Sequence, residues 1–274
     1  MPMGIYTFSG TGNSLHVARE LGKRFPDASL IPIMSLLGQD RIESRADTVG
    51  LVFPIHAFTL PWPVERFLER VDFEQTSYKF AIATRECFET VFLKIDKLLK
   101  RQETRLDAYF CFEMPQTYVP LFEVYAQEEC ARVEAEMVEH LTRIEAVVAN
   151  RETHRPRDHP AWSPFSRVIY PLVTAWFQKV RFPDMERAFY ADDNCSGCGT
   201  CEQVCLSGKI RLENQRPIWQ DGVRCTYCFA CLHFCPSEAV QIEGRDTATK
   251  GRYHHPAIKV RDIAAQKSSQ PSRS

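Results

Sequence analysis

Two cysteine runs of identical spacing, thirty residues apart, constrain this chain more than anything else in it. The first, CSGCGTCEQVC, sets Cys195, Cys198, Cys201 and Cys205 at C-x2-C-x2-C-x3-C spacing. The second, CTYCFACLHFC, sets Cys225, Cys228, Cys231 and Cys235 the same way, with Pro236 following. The repeat runs past the cysteines, because Ile210 and Leu212 correspond to Val240 and Ile242. Three thiolates so closely spaced suit three corners of a cubane, since a tight loop aims each sulfur at a different iron. Zinc is the competing reading, but structural zinc sites pair cysteines as C-x2-C across long spacers and need no third cysteine at the next step. Disulfides belong to exported chains, and the opening MPMGIYTFSG lacks a basic start, an apolar stretch and a small-residue cleavage site. The spacing therefore favours iron–sulfur.

A second signature opens the chain. MGIYTF at 3–8 is apolar and strand-prone, SGTGNS follows at 9–14, and LHVARELGKRF then places Leu15, Ala18, Gly22 and Phe25 on one helical face. A strand, a short polar loop and a helix in that order form an anion site, where backbone N–H groups, hydroxyls and the helix dipole act together. The loop is not a Walker A, which needs Gly-Lys-Ser/Thr. Nor is it the dinucleotide fingerprint, because Leu15 stands where the third glycine belongs. Further strands are expected at 29–34, 47–56, 78–84 and 105–112. Helices are expected at 61–71, around Phe88, Phe92, Ile95 and Leu99, and at 123–149, where Val133, Met137, Leu141, Ile144 and Val148 share a face with Cys130. Five strands alternating with helices predict an α/β fold with a doubly wound parallel sheet.

Residues 190–243 resemble a bacterial-type ferredoxin with two [4Fe–4S] clusters, and SGTGNS resembles the phosphate loop of flavodoxins. The TFSGTGN start at Thr7–Asn13 and the pair Met114-Pro115 are shared with the bacterial flavodoxin–ferredoxin fusions, so the chain resembles that family. The resemblance implies a flavodoxin-like domain over 1–150 with strand order 2-1-3-4-5, whose ligand lies at the carboxyl ends of the strands. It implies a linker and packing segment over 151–189, a small α+β two-cluster domain over 190–245, and FMN beside the clusters. Cys195, Cys198, Cys201 and Cys235 would hold one cluster, and Cys225, Cys228, Cys231 and Cys205 the other. Ser9, Gly10, Thr11, Gly12, Asn13 and Ser14 would hold the phosphate. Pro54, His56, Phe58, Thr84 and Arg85 would flank the flavin ring, with Trp62 and Tyr118 as further stacking candidates. Two departures stand out: Leu206 replaces the proline usual after the fourth cysteine, and Arg85-Glu86 replace a glycine-containing sequence after Thr84. The bulkier second loop leaves open a reading in which FMN is lost and the domain serves as a docking scaffold.

The 34 Lys plus Arg against 35 Asp plus Glu give a net charge of −1, which offers nucleic acid no general footing. The longest apolar block, VIYPLVTAWF at 168–177, is shorter than the ~20 residues that span a bilayer. With eleven cysteines and no export signal, a reducing cytoplasm is expected. Cys111 and Cys130 read as small core residues and Cys87 as a loop thiol, while the histidines show no metal spacing. Trp162, Phe165, Tyr170, Trp176 and Phe177 are expected to pack the two domains or a partner, and 246–274 to be disordered. The expected function is electron transfer between an external redox partner protein, two clusters and FMN, with or without a substrate of its own.

Overall fold

The structure is a computed structural model that describes residues 2–84, 90–156 and 164–268. Its main sheet contains β1 (Met3–Thr7), β2 (Ala28–Pro32), β3 (Thr48–Pro54), β4 (Tyr78–Thr84) and β5 (Ala108–Phe112). These strands pair in parallel in the order β2-β1-β3-β4-β5, the flavodoxin-like order. β4 is buried along its whole length and β3 in all but its last residue, as strands covered on both faces must be. α1 (Asn13–Arg24) and α4 (Gln127–Ala149) share a core with Ile5, Val52, Phe80 and Ile82. α2 (Trp62–Arg70) and α3 (Thr90–Leu99) share another with Tyr6, Leu51, Phe53 and Ala81. Alternation along each strand sends neighbouring residues to different cores, so the sheet is covered on both sides.

The expected element ends move by a few residues. The second strand stops at Pro32 and gives way to a 3-10 turn over Ile33–Leu36. β5 starts at Ala108 rather than 105, because the approach is taken up by side-chain bonds: Leu106 N–H donates to Asp96, and Lys79 N–H to Asp107. α4 starts at Gln127, and its stripe Val133, Met137, Leu141, Ile144 and Val148 is buried as expected, while Cys130 and Cys111 are only half-buried. After a turn at Arg151 the linker passes beside β5, where Tyr109 N–H donates to His154 O (2.9 Å) and His154 N–H to Asp107 O (3.1 Å). Trp162, Cys87 and the side chains of Phe88, Phe165 and Tyr170 lie outside the described residues.

The chain continues through α5 (Pro164–Trp176), a π turn at Phe177–Arg181 and α6 (Phe182–Arg187) into the cysteine repeat. There β6 (Phe189–Ala191) pairs antiparallel with β9 (Val240–Ile242), and β7 (Ile210–Glu213) with β8 (Arg216–Trp219). Each cysteine loop opens a short helix, α7 (Thr200–Val204) or α8 (Ala230–His233). The repeat pairs Ile210–Leu212 and Val240–Ile242 thus lie on equivalent strands.

The two halves share one core. Val204, Leu206, Ala230 and Phe234 of the cysteine repeat pack with Phe8, Ile55 and Leu60 of the sheet domain. This gives the Leu206 departure its physical reason. Leu206 is 4% exposed, whereas Pro236 at the equivalent place is exposed. Burying a leucine is worth roughly 1.5–3 kcal/mol, so this position serves the junction rather than the turn. The tail expectation fails as far as residue 268: this segment crosses back to the sheet domain and forms α9 (Val260–Ala265), with Ile258 and Ile263 in the shared core.

Candidate functional site

The loop of residues 9–14 leaves the carboxyl end of β1 and starts α1. Its side chains are held from within the chain. Ser9 Oγ accepts from Gly12 N–H (3.2 Å), Ser14 and Thr84 share a hydroxyl bond (2.7 Å), and Asn13 Nδ2 donates to Pro115 O (2.9 Å). Asn13 Oδ1 is buried with no partner among the described residues. An unpaired buried acceptor costs roughly 1–3 kcal/mol, a cost that a donor on a ligand would remove.

Beside the loop lies a cavity of about 420 Å³. Ser9, Gly10, Thr11, Asn13 and Ser14 line it, together with Pro54, His56 and Thr84 at the ends of β3 and β4. The stretch from Glu113 to Tyr118 after β5 supplies more of the wall, and Phe182, Tyr227, Cys228 and Phe229 come from the other half of the chain. Of the expected residues, Gly12 packs instead against His255 and Ile258. Phe58 turns away as well, with its ring edge-on to Phe177 (6.4 Å), and it is not among the lining residues. Trp62 faces the second cysteine loop, where its Nε1–H donates to Cys225 O (2.9 Å) under the Arg224 guanidinium. Arg85 and Glu86 lie outside the described residues.

The cysteines fall into two groups. The Cys201 thiol is raised to about 11, chiefly by burial and in smaller part by repulsion from Cys235, Cys198 and Cys195. Burial also pushes Cys231 up, and repulsion from Cys225, Cys228, Cys205 and Cys201 adds to the shift. Burial raises the Cys225 and Cys228 thiols too, and repulsion from Cys205 adds to both shifts. Cysteines of each run thus feel those of the other: Cys235 acts on Cys201, and Cys205 on Cys225, Cys228 and Cys231. Thiols this hard to ionise become thiolates only beside a strong positive charge, such as that of iron. Cys198 differs: it is exposed, and hydrogen bonding at Thr200 lowers its pKa. The first group thus reaches solvent, while Cys228 of the second lines the cavity and lies against Gly10.

The returning segment fastens this arrangement from outside. Ser9 N–H donates to Gln266 Oε1 (3.0 Å), and Gln266 Nε2 donates back to Ser9 O (2.8 Å), with Gln266 only 1% exposed. His255 N–H donates to Thr11 O (2.9 Å), Arg19 pairs with Asp262 (2.8 Å), and Lys267 reaches Gln203 O on α7 (2.8 Å). His16 and His255 stack at 3.8 Å and both bond Glu134 through Nε2, which holds that carboxyl at about 2. Ala257 N–H points at His255 Nδ1 (3.3 Å), so the His255 proton sits on Nε2 and is donated to Glu134. The trio is a hydrogen-bonded clasp, assembled from three segments too far apart for any sequence spacing to show. His233 makes a similar tie: Nδ1 accepts from Tyr253 N–H, and Nε2–H donates to Thr117 O (2.8 Å) on the cavity wall. Burial keeps His233 neutral, with its pKa down to about 4.

The family model described as a 4Fe-4S dicluster domain matches residues 194–240. No curated protein matches the chain. Among solved structures, a putative flavoprotein from Bacteroides uniformis is 13% identical over 41% of this chain and 90% of its own, with a TM-score of 0.32. A flavodoxin from the domain Archaea is 14% identical over 52% of this chain and 99% of its own (TM-score 0.31). An FMN-dependent NADH-azoreductase from Bacillus anthracis is 10% identical over 53% and 100% (TM-score 0.34). Likenesses this remote carry no weight for ligand or partner, and the sheet order rests on the strand pairing itself. No helix among the described residues is long and apolar enough to cross a membrane. The chain joins a flavodoxin-like parallel sheet to a 4Fe–4S dicluster domain, and its role is redox.

Proposed function

We propose that this protein transfers electrons between an external redox partner protein and FMN held in the cavity, by way of two [4Fe–4S] clusters. The observation that carries the reading is the place of Cys228, which lines the same cavity as the β1–α1 loop and packs its carbonyl against Gly10. The residues present fit FMN. The cavity volume falls in the roughly 300–1,000 Å³ range of small-ligand sites. The loop stands at the positive end of the 12-residue α1, and the bare Asn13 oxygen suits a ligand hydroxyl.

When bound, FMN supplies one- or two-electron exchange, and each cluster supplies single electrons. Cys195, Cys198, Cys201 and Cys235 would hold the outer cluster, and Cys225, Cys228, Cys231 and Cys205 the inner one. Ser9, Gly10, Thr11, Asn13 and Ser14 would hold the phosphate, with Pro54, His56, Thr84 and Tyr118 nearer the ring. The exposed Cys198 would give a redox partner its approach to the first loop, and Cys228 would bring the second loop to the cavity.

The test is anaerobic stopped-flow reduction of the flavin by reduced ferredoxin in wild type, Cys195→Ser and Cys205→Ser. Each substitution should remove one cluster, outer and inner respectively, and each should slow flavin reduction. Wild-type flavin reduction in Cys205→Ser, or loss of the outer cluster in that variant, would refute the assignment.

A further inference from the structure

The two cysteine loops share their spacing but differ at two backbone positions. Gly197 and Gly199 flank Cys198 in the first loop, with φ of 68° and 74°. Thirty residues on, the equivalent positions flanking Cys228 hold Tyr227 and Phe229, at φ of 54° and 58°. Left-handed backbone brings a Cβ close to the following carbonyl, a contact that glycine avoids. The first loop shows that this cysteine spacing needs no ring at either position. Strained residues of this kind persist where function holds them.

Both residues line the cavity, and the rings of both are fixed in place. Tyr227 stacks on Phe182 at 4.3 Å and 15°, and its hydroxyl donates to Glu186 (2.6 Å), which also pairs with Lys209. Phe229 meets the Tyr118 ring edge-on at 5.4 Å and 76°. We infer that Tyr227 and Phe229 are ligand-positioning residues: through them the cluster domain supplies part of the binding wall for a flat aromatic ring. On the reading above, which this inference assumes, that ring is the isoalloxazine. The flavin site is then shared between the two domains and complete only when they are docked.

The experiment titrates FMN and riboflavin into cluster-loaded, flavin-free wild type, Tyr227→Gly and Phe229→Gly. It follows flavin fluorescence and the visible band, with iron content and unfolding midpoint measured alongside. Glycine gives each position the first loop's residue, so iron content holds, while the midpoint falls because each variant gives up a buried ring. Both flavins should bind about tenfold more weakly per ring removed with an altered band, while the FMN-to-riboflavin ratio stays the same because the phosphate loop is untouched. Unchanged affinity and band shape would overturn the inference, whatever the change in midpoint. If wild type binds neither flavin, the FMN reading itself fails. If a glycine variant loses iron, Tyr227→Asn and Phe229→Asn carry the test to the same two results, since Asn tolerates this backbone and has no ring.

Discussion

Gly10→Ala strikes the junction between the two cofactor regions. A Cβ built on Gly10 lies 2.6 Å from the Cys228 carbonyl oxygen and 3.1 Å from its carbonyl carbon, and closer still to its Cβ. Carbon atoms prefer about 3.5–4.0 Å, so one partner must move by about 1 Å. Neither side yields easily. Gly10 adjoins Ser9, whose backbone is held at both N–H and carbonyl by Gln266, while the Cys228 loop is held by the Trp62–Cys225 bond. Overpacking of this kind typically costs about 1–3 kcal/mol. The cost should appear as a lower unfolding midpoint of the cluster-loaded protein and as slower flavin reduction by reduced ferredoxin, with iron content unchanged. A Gly10→Ala variant that matches wild type in both would mean that the two halves do not pack this closely in solution, and the shared cavity would go with them.

Two further outcomes follow from the same geometry. Gln266→Ala removes two hydrogen bonds on Ser9, each worth roughly 0.5–1.5 kcal/mol. FMN should then bind about tenfold more weakly while riboflavin binding is unchanged, as paired fluorescence titrations would show; equal weakening of both would place Gln266 elsewhere in the energetics. Trp62→Phe removes the donor to Cys225 O and should cost about 1 kcal/mol in chemical unfolding of the cluster-loaded protein, with the free sheet core intact by near-ultraviolet dichroism. No loss would show that this bond does not hold the loop.

The parts legible in the sequence were those governed by local rules. Strand 78–84 was readable because both its faces are buried, and the β1-loop-α1 unit because its apolar and polar residues change period at Ser9. The proposed cysteine grouping comes from the family resemblance, since spacing alone does not pair Cys205 with the second run. Long-range placement was hidden. The far wall of the cavity, from Phe182 to Phe229, lies more than 170 residues along the chain from Ser9, and Phe58 and Trp62 face other surfaces because a loop's sequence does not say which side it turns. The tail read as disordered because its polar composition masks Ile258, Ile263 and Gln266, three buried residues that fasten it. One signal was present and passed over: laying the repeat on itself puts Tyr227 and Phe229 on Gly197 and Gly199.

The central claim, two clusters and one flavin in a single chain, is tested most directly by composition. Protein purified without oxygen is assayed for iron, acid-labile sulfide and released flavin per chain. About eight irons and eight sulfides with one FMN are expected. Iron and sulfide with no flavin would leave the dicluster domain standing and contradict the proposed electron path.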